Sequence, residues 1–322
     1  MKRFLRSIAL ALVLFSLIPV SAEAEQLLIP VGQIIGLQLQ DDTVTVAAYD
    51  DASAMAAKEA GVKIGDQIVA IDDLPIRCTA DVRSALQACN GQIRMTVRRD
   101  GKVANLRFTP ESTVQGPRLG VYLRQGIAGI GTVTFYDPET GRFGTLGHGV
   151  SNSRGDLMHM KTGIACEAHI VSVIRGKAGN PGQLKGSADT LQVFGALQRN
   201  TPQGVFGIAA KKLSGRPLPA AAYDQIQPGT AVILSTVSND KPQEYSVEIL
   251  KIYSRDRSDG RNFLLRVTDP ALLRTTGGIV QGMSGSPIIQ NGKLVGAVTH
   301  VLVNQPDTGY GIFIENMLDA AG

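Results

Sequence analysis

Short runs of β-forming residues, separated by turns that contain glycine, dominate this sequence from about residue 119 to residue 314. Many short strands in a row, with few helical patterns between them, predict a β sandwich or a pair of β barrels. The 322 residues suggest about two domains, and the 36 glycines fit a fold that is rich in tight turns. The predicted strands are Leu119–Leu123, Ile130–Tyr136, Gly144–Val150, Ala165–Val173, Leu191–Leu197, Gly204–Ala209, Thr230–Ser235, Tyr245–Tyr253, Phe263–Val267, Pro287–Gln290, Leu294–His300 and Gly311–Ile314.

Residues 31–109 have a different pattern, in which helices alternate with strands. A short helix is predicted over Ala52–Ala60, and a second over Ala80–Ala88 with Thr79 as its cap. Asn-Gly and Asp-Gly dipeptides after the second helix predict tight turns between strands. This part of the chain is therefore expected to form an α/β unit ahead of the β-rich part.

The first 24 residues have the features of a secretory signal. Lys2, Arg3 and Arg6 precede an apolar run, Ile8–Val20, and small residues follow that run. The run is shorter than the ~20 residues that a membrane-spanning helix needs. An uncleaved signal anchor is the alternative to a cleaved signal peptide. In either case we expect the protein to be exported across the cytoplasmic membrane.

Charge and potential metal ligands argue against several classes of function. The net charge is +4, and the lysines and arginines are scattered along the chain, so we expect no nucleic-acid partner. Cys166 and His169 have the spacing of two zinc ligands, but no second pair accompanies them. We therefore expect no metal ion and no cofactor.

The motif GGIVQGMSGSP, at residues 277–287, contains the strongest candidate for a catalytic residue. Ser284 lies between Gly282 and Gly285, which let the backbone turn so that its N–H groups can point at one spot beside the serine oxygen. A serine nucleophile needs such an exposed hydroxyl and such a pocket. Taken alone, the motif is more often a turn between two strands. Ser286 is the rival nucleophile, but it directly precedes a proline, which favours an extended conformation.

A serine nucleophile also needs a base within hydrogen-bond reach, and the chain has four histidines. His148 is flanked by glycine on both sides at the end of a predicted strand, which leaves its imidazole accessible. His300 lies in the strand after the serine and is the alternative, although a structural role suits it better. His159 and His169 have ordinary polar neighbours. His148 is therefore the preferred base.

Two aspartates are candidates for the acid that orients the base. Asp269 lies at a strand end fifteen residues before Ser284, where Pro270 forces a turn. Asp137 lies eleven residues before His148, in an Asp-Pro pattern that is typical of a hairpin tip. The residues alone leave the role of Asp269 open between an acid and a turn cap.

The α/β unit resembles a PDZ domain, both in its order of elements and in the segment AGVKIGDQIVAIDD at residues 60–73. The resemblance assigns residues 25–113 to a PDZ-like domain. It also implies a loop of the form apolar-Gly-apolar that binds a C-terminal carboxylate through backbone N–H groups. The matching residues are Ile35, Gly36 and Leu37, although the residue before Ile35 is not the glycine usual in that family.

Two long segments resemble the SpoIVB peptidase family, which are serine peptidases of endospore-forming bacteria. These segments are GIGTVTFYDPETGRFGTLGHGVSN at residues 129–152 and VTDPALLRTTGGIVQGMSGSPIIQNGKLVGAVTHVLVN at residues 267–304. The resemblance implies Ser284 as the nucleophile, His148 as the base and Asp269 as the acid, within a peptidase domain over residues 114–322.

The serine motif is also similar to that of the chymotrypsin-like superfamily, and the order His, Asp, Ser agrees. This similarity implies a fold that is mostly β, with a chymotrypsin-like double barrel after the PDZ-like unit. It also implies an oxyanion hole formed by the N–H groups of Gly282 and Ser284.

The family resemblance further implies a signalling role. Such a peptidase cleaves itself and then cuts a membrane-bound regulator of an intramembrane protease, so that a late mother-cell sigma factor is activated during sporulation. It acts in the space between the two membranes of the forespore. Its expected partners are protein substrates, including itself, and a peptide or a second copy at the PDZ unit. The alternative is an exported PDZ-type binding or scaffold protein with an inactive protease domain, which the intact Ser284 and His148 motifs argue against.

Overall fold

A computed structural model describes residues 25–114, 116–152, 155–238, 241–257 and 259–322. The predicted secretory signal lies outside these residues. The described chain is mostly β, and none of its helices has both the length and the apolar character needed to cross a membrane. The helices are α1 Met55–Glu59, α2 Thr79–Ala88, α3 Pro270–Thr276 and α4 Ile314–Ala321, with a 3₁₀ turn at Tyr223–Gln225.

Most of the strands follow one another through short turns, as the sequence predicts. The first half of the chain contains β1 Leu27–Pro30, β2 Ile34–Tyr49, β3 Gln67–Ile71, β4 Leu74–Pro75, β5 Ile93–Arg99, β6 Lys102–Phe108, β7 Glu111–Thr113, β8 Gly116–Arg118, β9 Val121–Tyr136 and β10 Arg142–Thr145. The second half contains β11 Thr162–Ile174, β12 Gln183–Thr201, β13 Gly204–Ala209, β14 Leu218–Pro219, β15 Gly229–Ser235, β16 Gln243–Ile252, β17 Phe263–Val267, β18 Pro287–Gln290, β19 Lys293–Leu302 and β20 Gln305–Phe313.

The C-terminal part forms a closed antiparallel barrel, which we call the second barrel. Its strands lie in the order β15, β16, β17, β20, β19, β18. Alternate residues of these strands point inward, and the rings of Phe263 and Phe313 pack edge to face inside, with their centroids 4.7 Å apart. Closure leaves no free strand edge in this part of the fold.

A first barrel precedes it and has the same topology. Its strands lie in the order β2, β9, β10, β13, β12, β11, and pairing between β2 and β9 closes the ring. Counted along the chain, both barrels therefore have the spatial order first, second, third, sixth, fifth, fourth. Phe143 and Phe194 pack edge to face in the first barrel, with their centroids 5.0 Å apart. Two antiparallel barrels of equal topology confirm the predicted chymotrypsin-like double barrel.

The PDZ unit shares two long strands with the first barrel and does not form a separate unit ahead of it. Strands β2 and β9 are each sixteen residues long, and their barrel halves pair over residues 34–39 and 127–132. Beyond a shift in register, the same two strands pair again over residues 44–49 and 121–125, where β2 also pairs with β3. Helices α1 and α2 cover the apolar face of this second sheet. The predicted division at residues 113 and 114 therefore does not coincide with the pairing, which places the PDZ unit at about residues 43–125.

Candidate active site

Ser284 lies in the turn that leads into β18, at the edge of the second barrel. Gly285 has a φ of +96°, and a Cβ there would lie 2.0 Å from the carbonyl oxygen of Thr132. Only glycine fits this position, because both the backbone conformation and the space exclude a side chain. The half-buried hydroxyl of Ser284 donates a hydrogen bond to the carbonyl oxygen of Thr299, at 2.7 Å.

Strand β9 of the first barrel holds this turn in place. Thr132 donates from its backbone N–H to the carbonyl oxygen of Ser284 at 3.0 Å, and from Oγ1 to the carbonyl oxygen of Gly282 at 2.9 Å. Oγ1 of the buried Thr134 donates to the carbonyl oxygen of Gly285 at 2.7 Å. The serine turn is thus anchored by side chains of the other barrel. Thr132 and Thr134 did not emerge from the sequence as site residues, because threonine is common in any strand.

The same contacts leave backbone donors available. Within the described parts of the chain, the N–H groups of Gly282 and Ser284 donate to no other group, whereas those of Met283 and Gly285 are engaged in the turn and with β19. Two unengaged N–H groups that flank a serine hydroxyl can stabilise a developing oxyanion. This arrangement is compatible with the predicted oxyanion hole.

His148 follows β10 and reaches the same place from the first barrel. Its Nδ1 lies 3.0 Å from the carbonyl oxygen of Gly149. Because a carbonyl can only accept, Nδ1 carries the proton in this contact, and Nε2 of the neutral ring is left with its lone pair. Burial lowers the pKa of His148 from its ordinary value of 6.5, and the hydrogen bond to Gly149 opposes this only in part. His148 is therefore a neutral base at pH 7, in the tautomer that can accept a proton at Nε2.

His300 lies beside His148, with 5.1 Å between the ring centroids. Burial, followed by the proximity of His148 and Arg261, lowers the pKa of His300 to about 4. Its Nδ1 is buried and has no hydrogen-bond partner among the described residues. His300 thus stays neutral when His148 takes up a proton, so the two rings do not carry charge together.

Asp269 makes its hydrogen bonds within its own turn and to Ser246 and none to His148, which corrects its predicted role. Its Oδ1 accepts hydrogen bonds from the N–H groups of Ala271 at 2.8 Å and Leu272 at 2.9 Å, and it is the N-cap of α3. Its Oδ2 lies 3.4 Å from the N–H of Ser246. The structure shows the turn cap, which the sequence left open as the alternative role of Asp269. The carboxylate is engaged in capping the first turn of α3.

Asp137 also has a local role. It lies at the β9–β10 hairpin and accepts hydrogen bonds from the backbone and side chain of Thr140, which is the turn role that its Asp-Pro pattern predicts. Neither Asp269, the predicted acid, nor Asp137, the other candidate, therefore hydrogen-bonds to the imidazole in this structure. In this structure the backbone carbonyl of Gly149 takes the position at Nδ1 that an acid would have.

The predicted PDZ carboxylate loop is wrong in its position. Ile35, Gly36 and Leu37 lie inside β2, where they pair with β11 on one side and with β9 on the other. A backbone that is paired on both edges has no N–H groups left for a ligand. These three residues have the apolar-Gly-apolar pattern, but they belong to the part of β2 that lies in the first barrel. Strand β2 enters the PDZ unit only after residue 42.

A second segment of this form, Leu119-Gly120-Val121, lies where a PDZ ligand loop is expected. It leads into the PDZ half of β9, whose edge opposite β2 pairs with no other described strand and faces α2. Gly120 has a φ of +72°, and a Cβ there would lie 2.1 Å from the carbonyl oxygen of Ser53. A groove of about 630 Å³ runs between this strand and α2, where Val82 and Leu86 line it. The sequence feature that could have identified this loop is the same apolar-Gly-apolar pattern, which here leads directly into a strand.

Known proteins match two parts of the chain. Residues 52–99 match the PDZ domain family, and residues 115–318 match the family described as SpoIVB peptidase S55. A putative zinc metalloprotease of Rhizobium meliloti (strain 1021) is 34% identical over 112 residues, which cover 34% of this chain and 28% of that protein. That match thus spans little more than a quarter of the relative.

Two kinds of solved structure superpose on this chain. The active form of the Rv3671c protease from M. tuberculosis has a TM-score of 0.34 and 17% identity, covering 62% of this chain and 75% of its own. The HtrA-type protease AlgW with a decapeptide has a TM-score of 0.37 and 12% identity, covering 65% of this chain and 57% of its own. The double-barrel architecture follows from the strand pairing of this chain and does not depend on these scores.

The SpoIVB peptidase match covers well over half of the chain and includes both Ser284 and His148. Together with the PDZ match it describes a PDZ-containing serine peptidase. This chain belongs to the SpoIVB peptidase S55 family.

Proposed function

We propose that this serine peptidase is an endopeptidase in which Ser284 is the nucleophile and His148 is the general base. One observation carries the proposal: Ser284 from the second barrel and His148 from the first barrel line the same cavity, of about 320 Å³. A peptide that enters this cavity meets a hydroxyl, a neutral imidazole and two unengaged N–H groups. These are the parts that acyl transfer needs.

The proposed reaction has two steps. Ser284 Oγ leaves its hydrogen bond to Thr299, turns toward His148, and attacks the carbonyl carbon of the scissile peptide bond. Nε2 of His148 takes the hydroxyl proton, and the N–H groups of Gly282 and Ser284 stabilise the oxyanion. His148 then gives the proton to the leaving amine, which breaks the C–N bond and leaves an acyl-enzyme. Water, deprotonated by the same imidazole, releases the acid and restores Ser284.

The physiological role that we propose is signalling during sporulation. The peptidase cleaves itself, then cuts a membrane-bound regulator of an intramembrane protease, in the space between the two membranes of the forespore. Membership of the SpoIVB family and the predicted secretory signal at residues 1–24 support this role.

The test compares the full native chain with Ser284→Ala after export. Removal of a signal peptide leaves the same N-terminus in both, whereas self-cleavage is expected to add a second N-terminus in the native chain alone, detected by N-terminal sequencing. In the organism that encodes the chain, the same substitution is expected to block activation of the late mother-cell sigma factor. Identical N-termini would contradict self-cleavage, and normal spore yield would contradict the signalling role.

A second function, capture of a peptide C-terminus, is favoured by the groove between α2 and β9. The open edge of β9 can add one more strand, and the backbone of Leu119-Gly120-Val121 can receive a carboxylate. The apolar side chains of Val82 and Leu86 suit an apolar last residue. The proposed ligand is therefore the free C-terminus of a protein with an apolar final side chain.

Binding is tested in the Ser284→Ala background, so that no peptide is cut. A fluorescent hexapeptide ending in valine with a free carboxylate is expected to bind with a Kd in the micromolar range. The same peptide with an amidated C-terminus is expected to bind at least about tenfold more weakly, because it cannot supply the charge that the backbone N–H groups receive. Fluorescence anisotropy measures both constants. Equal affinity for the two peptides would overturn carboxylate capture.

A further inference from the structure

The cavity beside Ser284 and His148 has walls that are mostly apolar, with Ser151 and Gln281 as the other two polar side chains. It opens at the mouth of the first barrel, and none of the described residues around it is Asp, Glu, Lys or Arg. A charged side chain that entered it would lose hydration without gaining a partner of opposite charge among the described residues. The apolar side chains that line it are Leu37, Leu39, Ile127, Ile130, Leu146 and Val150.

One position on β9 in the wall of this cavity, the exposed Gly129, has no side chain. Residues 127, 129 and 131 of β9 lie on the same face, because side chains alternate along a strand. Ile127 packs into the core of the first barrel, and a Cβ on Gly131 would lie 2.3 Å from Cδ2 of Leu146. A Cβ on Gly129, between them, would have no described heavy atom within 4 Å outside its own chain neighbours. Gly129 lines the cavity, so the empty space is the place that its side chain would occupy.

Other glycines in the same barrel differ in this respect. A Cβ on Gly144 would lie 2.4 Å from the ring of Phe135, and one on Gly207 would lie 2.9 Å from the ring of Phe143. In those places a large neighbour fills the space that the glycine leaves. At Gly129 no neighbour fills it, and the space faces Ser284. The φ of Gly129 lies outside the left-handed region, so the backbone itself does not require glycine there.

We infer that this cavity binds a large apolar side chain of the substrate next to the scissile bond, and that Gly129 sets its size. The inference rests on the proposed function, in which Ser284 is the nucleophile. Leucine, isoleucine, methionine or phenylalanine would fill the space with apolar contacts, whereas alanine would leave most of it empty and lysine or glutamate would have no partner of opposite charge among the described residues. Gly129 is thus a specificity-determining residue, although it supplies no contact of its own.

The test uses Gly129→Val in the full chain, with Ala128→Val as its matched control. Ala128 is the preceding residue of the same strand, is exposed, and is not among the described residues that line the cavity, so the control adds side-chain volume to β9 beside the cavity. A proteome-derived peptide mixture is digested with each protein, and the cut sites are read by mass spectrometry. The native protein and the Ala128→Val control are expected to show large apolar residues at one position beside the cut.

Two synthetic peptides that differ only at that position, leucine against alanine, give the magnitude. Native protein is expected to prefer leucine in kcat/KM by about 10- to 100-fold, the range for filling a hydrophobic pocket. Gly129→Val is expected to abolish this preference, so that the ratio of kcat/KM on the leucine peptide to kcat/KM on the alanine peptide falls to about one. Gly129→Ala, which adds a single methyl group, is expected to give an intermediate preference and serves if the valine variant does not fold.

The outcomes separate two kinds of failure. If native protein produces no cuts beyond those of Ser284→Ala, the proposed function fails and the inference fails with it. If native protein cuts peptides without an apolar position, or if the Gly129 variants keep the native preference, the pocket inference alone is overturned. A loss of activity that is equal on both peptides would also overturn it, since a specificity residue must separate them.

Discussion

Ser284→Ala is expected to lower kcat on a peptide substrate by about 10⁶-fold, the loss found when a serine protease loses its nucleophile. In the proposed reaction the hydroxyl of Ser284 forms the acyl-enzyme, so its removal stops the first step. Hydrolysis of a fluorogenic peptide measures the loss. Mass spectrometry after treatment with a fluorophosphonate is expected to find one adduct, on Ser284, in the native protein and none in the variant.

Ser286→Ala is the matched control, because Ser286 is the other serine of the same turn. Its hydroxyl is buried and donates to Oγ of Ser235 at 3.0 Å, so it is not available for attack. The control is expected to keep the adduct and to keep kcat within a few-fold. It is also expected to lose about 1 kcal/mol in the free energy of unfolding, since the hydroxyl of Ser235 is left without this partner. An adduct that is lost in Ser286→Ala and retained in Ser284→Ala would show that Ser286, and not Ser284, is the nucleophile.

His148→Ala is expected to cost a similar factor of about 10⁶ in kcat, because without the base Ser284 stays protonated. The native pH profile carries a second signature of His148. The base must be neutral to accept a proton, so kcat/KM falls as the pH drops through its pKa. Burial lowers that pKa from 6.5, so the acid limb of the profile is expected to have its midpoint below pH 6.5.

Asp269→Asn separates the two interpretations of the acid. If Asp269 oriented the imidazole, the amide would lower kcat by about 10⁴-fold, as loss of the acid does in a Ser-His-Asp triad. The structure instead makes Asp269 the cap of α3, and asparagine is an equally good cap, so kcat and the acid limb are expected to stay within about threefold of native. Asp269→Ala is expected to lower the free energy of unfolding by about 1 kcal/mol. A loss of about 10⁴-fold in Asp269→Asn would restore the triad and refute the assignment to a cap.

Local patterns in the sequence were sufficient for the strand-rich fold and for the serine turn, and they singled out His148, which lines the same cavity as Ser284. The serine turn requires glycine at position 285, because the carbonyl oxygen of Thr132 approaches that position closely. The sequence therefore has a glycine directly after Ser284. The PDZ helix was predicted at Ala80–Ala88 with Thr79 as its cap, and the structure has it at Thr79–Ala88 with Cys78 as the N-cap, so the helix was predicted from the local pattern but its cap was placed one residue too late. Each of these features depends on neighbours within a few positions of the chain, which is the range over which a sequence pattern carries a physical signal.

Long-range pairing decided the rest. Ile35-Gly36-Leu37 and Leu119-Gly120-Val121 have the same local pattern, and only the pairing of β2 on both edges shows that the first cannot bind a ligand. Asp269 has the local pattern both of an acid and of a cap, and the fold determines which role it has.

By itself, then, the sequence determined that a β-rich part follows an α/β unit and that a serine turn and a histidine turn stand at the ends of its strands. The tertiary structure alone decided that Ser284 and His148 meet at one cavity, that a backbone carbonyl and not a carboxylate holds Nδ1 of His148, and that Gly129 leaves a pocket beside them. The physical reason is that these relations join residues far apart in the chain. Their positions are set by barrel closure and strand register, which arise from the sum of many weak contacts and leave no mark on any short segment.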